Sequence, residues 1–560
     1  MAPVKTARRG TARRPAQRGR RASSVPADWS AHRAVERSVE PYSVHGDYRL
    51  ALAYANTYHV GMSSLGFQRV YHLVHQRPGW SAQRFFTDPV GDSGGIGGIG
   101  GAGMPLSVET DTPLNEFGAI AFSVSFEEDY VHLLQMLDRA GIPLRRSQRG
   151  PWDPVIVVGG SCSAINPLPL AELVDVFALG AAENVLPDLL AALEEEDQRE
   201  AAIERLAARP GFYVPSHHDP EEAWELGVGF GTGFDKLRKL ELTAEQMRAP
   251  GHLPTTAIVT PKTEFADKLL VEMSRGCPEK CRYCWATFGM GVFRWHPTEY
   301  ILGALDRARS VTDQLGFVAT AVGDHPEIER ILREAGDLGF RTAVSSIRIP
   351  AVTEGVLEAL HASGDRSITL APETGTDELR RKLNKPIPNS LLLEKIRMIF
   401  RHGFTQLKLY FLVGCPGETM EDVEGILELG AAARAIMLEE LAPTGVIGQI
   451  HLGTNILIPK PYTAWQREPM ADPRSLRQKI SRLKKGVARL PNVTLSTMSI
   501  RQATWQTYIS RAGTDAAEAL ERVARGQPIA SVLRELGHRI HPEVFRRFDG
   551  ECRWHFLRTG

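Results

Sequence analysis

The sequence has little cysteine, no excess of charge of either sign and no long apolar run. Six cysteines in 560 residues, three of them within eight positions, do not resemble the disulfide framework of a secreted protein, so we expect a reducing cytoplasm. The formal net charge is zero, which argues against a body built as one large nucleic-acid or acidic-lipid surface. Apolar runs such as FGAIAFSVSF end well short of the roughly 18 residues that a membrane-spanning helix requires. We interpret them as buried strands and expect no membrane partner.

Basic residues are concentrated at the amino terminus. From Lys5 to Arg21 there are eight Lys or Arg residues and no acidic residue. Such a composition cannot bury enough apolar surface to fold alone, so we predict a basic, disordered tail over residues 1–45. A nucleic-acid-binding arm and a transit peptide are the alternatives for this segment. It is the one place where we expect any contact with nucleic acid.

Residues 46–204 carry a repeated pattern of strand, loop and helix. Continuous apolar strands such as AIAFSVSF and PVIVVGGS alternate with amphipathic helices, which predicts a doubly wound, flavodoxin-like parallel sheet covered on both faces. Sheets of this kind bind ligands beyond the carboxyl ends of their strands. The loops at that edge are predicted at 56–61, 123–128, 159–166 and 180–184.

Two glycine-rich or proline-rich stretches do not fit this pattern. The run DSGGIGGIGGAGM, residues 92–104, has no convincing strand before it, so we interpret it as a flexible insertion and not as a dinucleotide site. Residues 205–262 have weak periodicity and are predicted to be a linker.

A second series of strands and helices begins after the linker. Six strand-like segments separated by helical patterns predict a partial (β/α)6 barrel over 263–490, followed by a small helical region over 491–560. The chemistry of such a barrel lies in the loops after the strands. The six segments are KLLVEMS, GFVATAVGD, RTAVSSIRI, SITLAPETG, TQLKLYFLVG and IGQIHLGTNILI.

The loop after the first of these strands holds Cys277, Cys281 and Cys284. Thiolates are soft ligands that select zinc, copper(I) or iron-sulfur clusters. Structural zinc normally has four protein ligands, and the chain has no second pair of closely spaced cysteines, although His296 is a candidate fourth ligand. Three cysteines around a 4Fe-4S cluster would leave one iron open to a substrate or cofactor. We favour the open cluster over zinc or three unliganded thiols.

The stretch CPEKCRYCW resembles the radical S-adenosylmethionine (radical SAM) superfamily. The resemblance implies that the open iron binds S-adenosylmethionine (SAM), and that an electron from the cluster cleaves it to a 5′-deoxyadenosyl radical. AVGDHP, VSSIR, LAPETG and YFLVGCPGET follow the second to fifth strands, where the resemblance places contacts to SAM. These contacts are Tyr283, Gly323, Asp324, Ser345, Ser346, Arg348, Glu373, Gly414, Pro416 and Gly417.

The first domain resembles a subgroup of this superfamily with a cobalamin-binding-like domain ahead of the barrel. The segments YANTYHVGMSSLGFQ, GGSCSAINPLPLAELVDVFALGAAENVLPDLL, GFYVPS and PKPYTAWQ carry this resemblance, which covers most of 46 to about 515. This sequence departs from other cobalamin proteins in two ways. It lacks the D-x-H-x-x-G motif, because His59 in NTYHVG stands in a different register. It also has GAAEN at a turn that is acidic in relatives. The residues assigned to cobalamin are Asn56, Tyr58, Gly61, Ser123, Ser125, Gly159, Gly160, Ser161 and Gly180.

Two further residues and one helix have both a functional and an ordinary interpretation. Cys415 either faces SAM or is a small apolar filler, and we favour the filler. His325 is either a proton donor or a residue at the start of a helix. The basic helix that begins near Arg474 is expected to be a solvated helix on a core, with a docking surface as the alternative.

The leading hypothesis is a cytoplasmic enzyme that uses a 4Fe-4S cluster, SAM and cobalamin to methylate an unactivated carbon. It would take electrons from a donor such as flavodoxin or ferredoxin. The first alternative is radical cyclisation or rearrangement without methyl transfer. The second, of another class, is a nucleic-acid-associated protein with a structural or redox-sensing cluster. No segment identifies the substrate.

Overall fold

The computed structural model describes residues 29–87, 103–220, 237–550 and 552–557. The chain divides into two compact units, and neither is a continuous segment. The first unit takes the described residues up to 240, together with 257–266 and 514–528. The second takes 241–256, 267–513 and the described residues from 529 onward. No helix in the described ranges has both the length and the apolar character needed to cross a bilayer.

The first unit is built on a six-stranded sheet with the order β3-β2-β4-β5-β6-β7, and it has a separate antiparallel pair of β1 and β8. Neighbouring strands of the large sheet are parallel except at β7. The strands are β1 (Arg37–Ser38), β2 (Tyr48–Tyr54), β3 (Trp80–Phe85), β4 (Ala119–Ser123), β5 (Val155–Gly159), β6 (Val176–Ala178), β7 (Phe212–Tyr213) and β8 (Ile258–Val259).

This strand order confirms the predicted doubly wound sheet. The chain moves from β2 to β3 on one side and then to β4, β5 and β6 on the other, so the topological switch point lies between β2 and β4. β2, β4 and β5 are buried along almost their whole length, which explains why they read as unbroken apolar runs. The helices are α1 (Ser30–Arg33), α2 (Tyr58–Met62), α3 (Leu65–Gln76), α4 (Asp129–Arg139), α5 (Ala182–Glu195), α6 (Arg199–Ala207) and the later helix Ala516–Ala524.

The second unit contains the six predicted barrel strands. Together with β10 and β16 they form two sheets of mainly parallel strands, with the orders β10-β9-β11-β12 and β13-β14-β15-β16. β10 is antiparallel to β9 and turns the chain back after the cysteine loop. The strands are β9 (Lys268–Arg275), β10 (Arg294–Trp295), β11 (Gln314–Ala319), β12 (Arg341–Val344), β13 (Ser367–Glu373), β14 (Gln406–Val413), β15 (Gln449–Ile456) and β16 (Val493–Thr497).

Helices alternate with these strands, as the hydrophobic pattern predicts. In β14 the residues alternate between exposed and buried, and the buried row Leu407, Leu409 and Phe411 belongs to the core. The helices of the second unit are α7 (Ala244–Met247), α8 (Trp285–Gly289), α9 (Thr298–Ala308), α10 (Ile328–Asp337), α11 (Glu354–Ala362), α12 (Asp377–Lys382), α13 (Asn389–Arg401), α14 (Met420–Leu441), α15 (Pro473–Val487), α16 (Ile500–Arg511), α18 (Ile529–Glu535) and α19 (Gly537–Phe545). The helix Ala516–Ala524 of the first unit is α17.

Short 3₁₀ helices occupy several loops. Two of them follow barrel strands β11 and β12, and one follows β5 in the first unit. Their bounds are Leu114–Glu116, Arg146–Gln148, Ser161–Ala164, Leu168–Leu170, Val322–Asp324, Ile349–Ala351 and Ala442–Thr444.

The structure differs from the predicted domain boundaries in three places. Trp29 is completely buried in the core of the first unit and donates from Nε1 to the Leu106 carbonyl (3.1 Å), so the part of the predicted tail from residue 29 is folded. Within the predicted linker, β7 belongs to the large sheet. β16 is a strand inside the region predicted to be helical. Residues 1–28, the glycine-rich residues 92–102 and residues 221–236 of the linker lie outside the described ranges.

Candidate functional site

The cysteine loop begins where β9 ends. Gly276 has φ +77°, and a Cβ there would lie 2.7 Å from the Val292 carbonyl oxygen, so the tight turn into the loop requires glycine. Cys281 is buried, Cys277 and Cys284 are half-buried, and all three thiols are free. Cys284 is the residue that precedes α8. The loop therefore holds three candidate sulfur ligands at the carboxyl end of a barrel strand.

Contacts from later segments hold the loop in place. The Arg282 amide donates to the Leu383 carbonyl (2.9 Å), and the Asn384 side-chain amide donates to the Lys280 carbonyl (2.8 Å). The Trp465 amide donates to the Arg282 carbonyl (3.3 Å). These hydrogen bonds fix both sides of Cys281 against the segment that follows α12.

The donor set fits an iron-sulfur cluster. Burial raises the pKa of Cys277, and it raises the pKa of Cys281 to about 11, so thiolate formation needs compensation by bound metal. Three cysteine thiolates in one loop are soft ligands of the kind that iron-sulfur clusters take. A zinc site gathers its ligands around one ion, whereas thiolates on a cluster bind separate irons.

His296, the candidate fourth zinc ligand, is engaged elsewhere. Its side chain is fully buried, with Nδ1 3.2 Å from the Met247 carbonyl and Nε2 3.3 Å from Glu272. Both ring nitrogens thus have partners outside the cysteine loop. The zinc alternative loses its proposed fourth ligand.

A charged network ties the cysteine loop to the ends of β11 and β12. The Arg348 guanidinium contacts Asp324 through one terminal nitrogen and Glu279, in the cysteine loop, through the other. Burial raises the pKa of Asp324, although Arg348 acts in the opposite direction. The predicted residues Asp324 and Arg348 are therefore in direct contact, and they are joined by Glu279, which no local sequence pattern indicated.

A second network ties the loop to the end of β13. Glu373 has φ +69°, at an irregularity in the pairing of β13 with β14, and a non-glycine residue holds such a backbone only where its surroundings stabilise it. The Lys385 ammonium lies 2.8 Å from the Glu373 carboxylate and also donates to the Ala371 carbonyl (2.7 Å). The Tyr283 hydroxyl is hydrogen-bonded to the same carboxylate, and burial raises the pKa of Tyr283. Glu373 thus links the cysteine loop to the fourth barrel strand.

The Gly-Cys-Pro-Gly turn ends β14. Gly414 and Gly417 have φ values of +85° and +76°, and the Gly414 amide donates to the Glu418 carboxylate (2.7 Å). Lys479 of α15 pairs with that carboxylate (2.6 Å), while burial raises the pKa of Glu418. Cys415 is 5% exposed and shares an apolar cluster with Tyr283, which favours its interpretation as a packing residue.

Other predicted residues lie near these networks without joining them. Ser345 and Ser346 are exposed just after β12, and Pro416 is half-buried in the β14 turn. A Cβ on Gly323 would lie 2.7 Å from the Ala351 Cβ, so packing requires this glycine. The buried His325 ring lies 2.9 Å from the His296 carbonyl through Nε2 and accepts from the Glu327 amide at Nδ1 (3.2 Å). His325 therefore fixes the start of α10, which leaves its proton-donor interpretation without geometric support.

The switch point of the first unit is polar. The Asn56 side-chain amide donates to Asp129 at the start of α4 (2.8 Å), and His132 Nδ1 lies 3.1 Å from the Ala55 carbonyl. Ser123 and Ser161 are half-buried at this edge. Ser125 is hydrogen-bonded to Tyr54, whose pKa burial raises to about 12. Small polar residues are therefore present where a doubly wound sheet binds its ligand.

Several residues assigned to cobalamin have packing roles in this unit. Tyr58 is 1% exposed and its hydroxyl donates to Glu36 (2.6 Å), so it is a core residue. A Cβ would lie 2.4 Å from Phe86 at Gly61, 2.5 Å from Val124 at Gly160 and 2.3 Å from Leu240 at Gly180. At Gly159 it would meet only Ala178, at 3.8 Å. His59 is exposed, with Nε2 3.4 Å from Glu264.

The structure also reveals a polar sheet face that sequence reasoning missed. The pairing of β13 to β16 aligns one row of Thr369, Lys408, His451 and Thr494. His451 lies 2.9 Å from both the Thr494 and the Ser496 hydroxyl. The alternation of polar and apolar residues in β14 could have indicated that one face of this sheet is polar. We term Thr369, Lys408, Tyr410, His451, Thr494 and Ser496 the polar sheet face.

Two family models match this chain. The model of the N-terminal region of radical SAM proteins matches residues 66–215, and the radical SAM superfamily model matches 271–430. The uncharacterized protein MJ0966 of Methanocaldococcus jannaschii is 22% identical over 446 residues, which cover 79% of this chain and 88% of that protein. The two family models together match more than half of the chain. The protein belongs to the radical SAM superfamily.

Solved structures show more distant likenesses. The cobalamin-dependent SAM radical enzyme OxsB, solved with aqua-cobalamin and SAM bound, is 13% identical with a TM-score of 0.43 over 68% of this chain. The match covers 51% of OxsB, so this chain spans about half its length. Streptococcus suis SuiB bound to SAM is 14% identical over 42% of this chain and 51% of SuiB, with a TM-score of 0.31.

Proposed function

We propose that this radical SAM enzyme generates a 5′-deoxyadenosyl radical at a 4Fe-4S cluster held by Cys277, Cys281 and Cys284. When bound, the cluster supplies the electron that cleaves SAM and an open iron on which SAM docks. The observation that carries the proposal is the free, partly buried cysteine loop at the carboxyl end of β9, held by contacts on both sides of Cys281. Such a loop presents three ligands and leaves the fourth cluster position to a small molecule.

The surrounding residues would hold SAM by complementary charge. Glu373 and Asp324 place carboxylates on two sides of the loop, and Lys385 and Arg348 orient them. A substrate with an amino group and ribose hydroxyls can donate to such carboxylates. The partial burial of both networks excludes much of the competing water, which strengthens these contacts.

Anaerobic reconstitution followed by SAM cleavage tests this proposal. With a strong chemical reductant, the wild-type protein should bind about four irons per chain and release 5′-deoxyadenosine. Replacing any one of the three loop cysteines by alanine should remove both properties. Cys415→Ala is the matched control, because that cysteine is buried outside the loop, and it should retain iron and cleavage. Full cleavage by the loop variants would contradict the assignment.

We propose that the radical serves methylation of an unactivated carbon, with cobalamin at the switch point of the first unit. Asn56, Ser123 and Ser161 would contact the cofactor, which supplies the transferable methyl group when bound. The supporting observation is the doubly wound sheet with a polar edge between β2 and β4. Corrinoid content after growth with hydroxocobalamin tests binding, and transfer of deuterium from methyl-labelled SAM to a product tests methylation.

Radical rearrangement without methyl transfer is the second candidate. The observation that favours it is the internal packing role of Tyr58, Gly61, Gly160 and Gly180, which explains these residues without a corrin. A protein that cleaves SAM and retains no corrinoid would support this candidate.

In either case we propose that a hydrogen-bonding substrate lies on the polar sheet face. A metabolite extract from cells grown in heavy water supplies deuterated substrate, and the wild-type enzyme should transfer deuterium from it to 5′-deoxyadenosine. His451→Ala should reduce this deuterium transfer, while SAM is still cleaved to unlabelled 5′-deoxyadenosine.

A further inference from the structure

The outer side of the cysteine loop carries exposed positive charge. Lys280 and Arg282 flank the buried Cys281, and both side chains are exposed. The hydrogen bonds from Arg282 to Leu383 and from Asn384 to Lys280 (2.9 and 2.8 Å) hold the loop against the end of α12. That helix ends with Arg381 and Lys382, which are also exposed. We term Lys280, Arg282, Arg381 and Lys382 the cysteine-loop patch.

Nearby acidic residues leave most of this charge unbalanced. The Glu279 carboxylate contacts Arg348, Glu373 pairs with Lys385, and Asp377 pairs with Arg380 (2.9 Å). Glu378 pairs with Lys382 at 2.9 Å. Among the described residues, Lys280, Arg282 and Arg381 have no ion-pair partner within 4.0 Å. The patch therefore presents three uncompensated positive charges around the loop that contains Cys281.

We propose that the cysteine-loop patch docks a small acidic electron-transfer protein that reduces the cluster one electron at a time. This inference rests on the proposed function, because a catalytic cluster must be re-reduced and its donor must approach the loop. Positive charge around the cysteine loop attracts an acidic partner and repels basic ones. A transient redox complex has a small interface, so a few uncompensated charges suffice to set its association rate. RNA is the other polyanion that such a patch fits.

The test compares two reductants on the same variants. SAM cleavage is measured in anaerobically reconstituted full-length protein, once with titanium(III) citrate and once with a bacterial flavodoxin reduced by its reductase and NADPH. The test variant Lys280→Glu/Arg381→Glu reverses two charges of the patch. The control variant Arg307→Glu/Arg333→Glu makes the same charge change at exposed positions of α9 and α10. Iron content is determined for each protein.

The expected result is a selective loss. The test variant should lose about 10-fold in the flavodoxin-supported rate at low salt and keep its titanium-supported rate, since charge at an interface acts mainly on association. Wild type should approach the test variant as salt rises, and the control should match wild type with both reductants. Equal flavodoxin-supported rates in test and control variants would overturn the proposal. Parallel loss with both reductants at full iron content would also overturn it.

Two further measurements separate this proposal from its basis. If wild type fails to cleave SAM even with titanium(III) citrate, the proposed function has failed, and binding of oxidised flavodoxin, measured by calorimetry, still reports on the patch. Weaker flavodoxin binding by the test variant alone would support docking. A single-stranded RNA oligonucleotide is titrated in parallel, and patch-dependent RNA binding without flavodoxin binding would overturn the proposal in favour of a nucleic-acid surface.

Discussion

Two lysine–glutamate pairs near the cysteine loop differ in burial and hardly in distance. Lys385 and Glu373 lie 2.8 Å apart with side chains 14% and 11% exposed, whereas Lys382 and Glu378 lie 2.9 Å apart with side chains 48% and 70% exposed. Solvent screens an exposed pair, while removing one partner of a buried pair leaves an uncompensated charge. The change of interest is Lys385→Met, with Lys382→Met as its matched control.

The expected costs follow from this difference in exposure. Breaking a fully buried pair costs roughly 3–5 kcal/mol. Because both members retain some exposure, and because Tyr283 remains as a donor to Glu373, we expect about 2–3 kcal/mol for Lys385→Met. The exposed pair is spaced i,i+4 on a helix, where the contribution is about 0.3–0.5 kcal/mol. The first substitution should thus lower the free energy of unfolding several times more than the second.

Urea unfolding of the anaerobically reconstituted protein, followed by tryptophan fluorescence, measures both values. Double-mutant cycles with Glu373→Gln and Glu378→Gln isolate each pair from the other contacts of the same side chains, including the bond from Lys385 to Ala371. Equal coupling energies for the two pairs would refute the reasoning. Lys385→Met should also raise the KM for SAM, because it releases the carboxylate proposed to bind it.

Two further predictions concern the cysteine loop and the start of α10. Gly276→Ala should lower iron incorporation, because its Cβ would meet the Val292 carbonyl at 2.7 Å. Gly445→Ala is the control, because Gly445 has a similar φ of +72° with open space around it, and it should leave the iron content unchanged. Equal losses of iron in the two variants would contradict the steric argument. Burial lowers the pKa of His325 from 6.5, so the unfolded state binds the proton first and the free energy of unfolding should fall as pH drops below 6.5. His325→Gln should remove part of that dependence in urea titrations across this range, and an unchanged slope would exclude His325 as its source.

The sequence predicted regular elements well where one face is continuously buried. The helices predicted between the barrel strands are observed, for example as Thr298–Ala308 and Asn389–Arg401. β16 was missed because only Val493 of its five residues is buried, so its sequence lacks an apolar run. Folding of residues 29–45 was also missed, since the buried Trp29 contacts Leu106, far along the chain.

The sequence indicates the candidate ligands directly and the residues that support them less well. The three cysteines carry a local spacing that the sequence displays directly. The contact between Glu418 and Lys479 joins residues on different elements, and no local pattern reports such a pair. The sequence could not show the contact that Tyr58 makes, because a tyrosine after a strand has the same local pattern whether its hydroxyl faces a ligand or, as here, donates to the half-buried Glu36.

The discontinuous make-up of both units has a consequence for synthesis on the ribosome. α17 packs on the first unit, where Glu521 pairs with Arg145 at 3.0 Å, yet it is translated after the barrel strands. The amino-terminal sheet must therefore wait, with a buried surface uncovered, until nearly the whole polypeptide has emerged. A split of the gene between the amino-terminal sheet and the barrel strands would place that sheet and α17, its last helix, on different polypeptides.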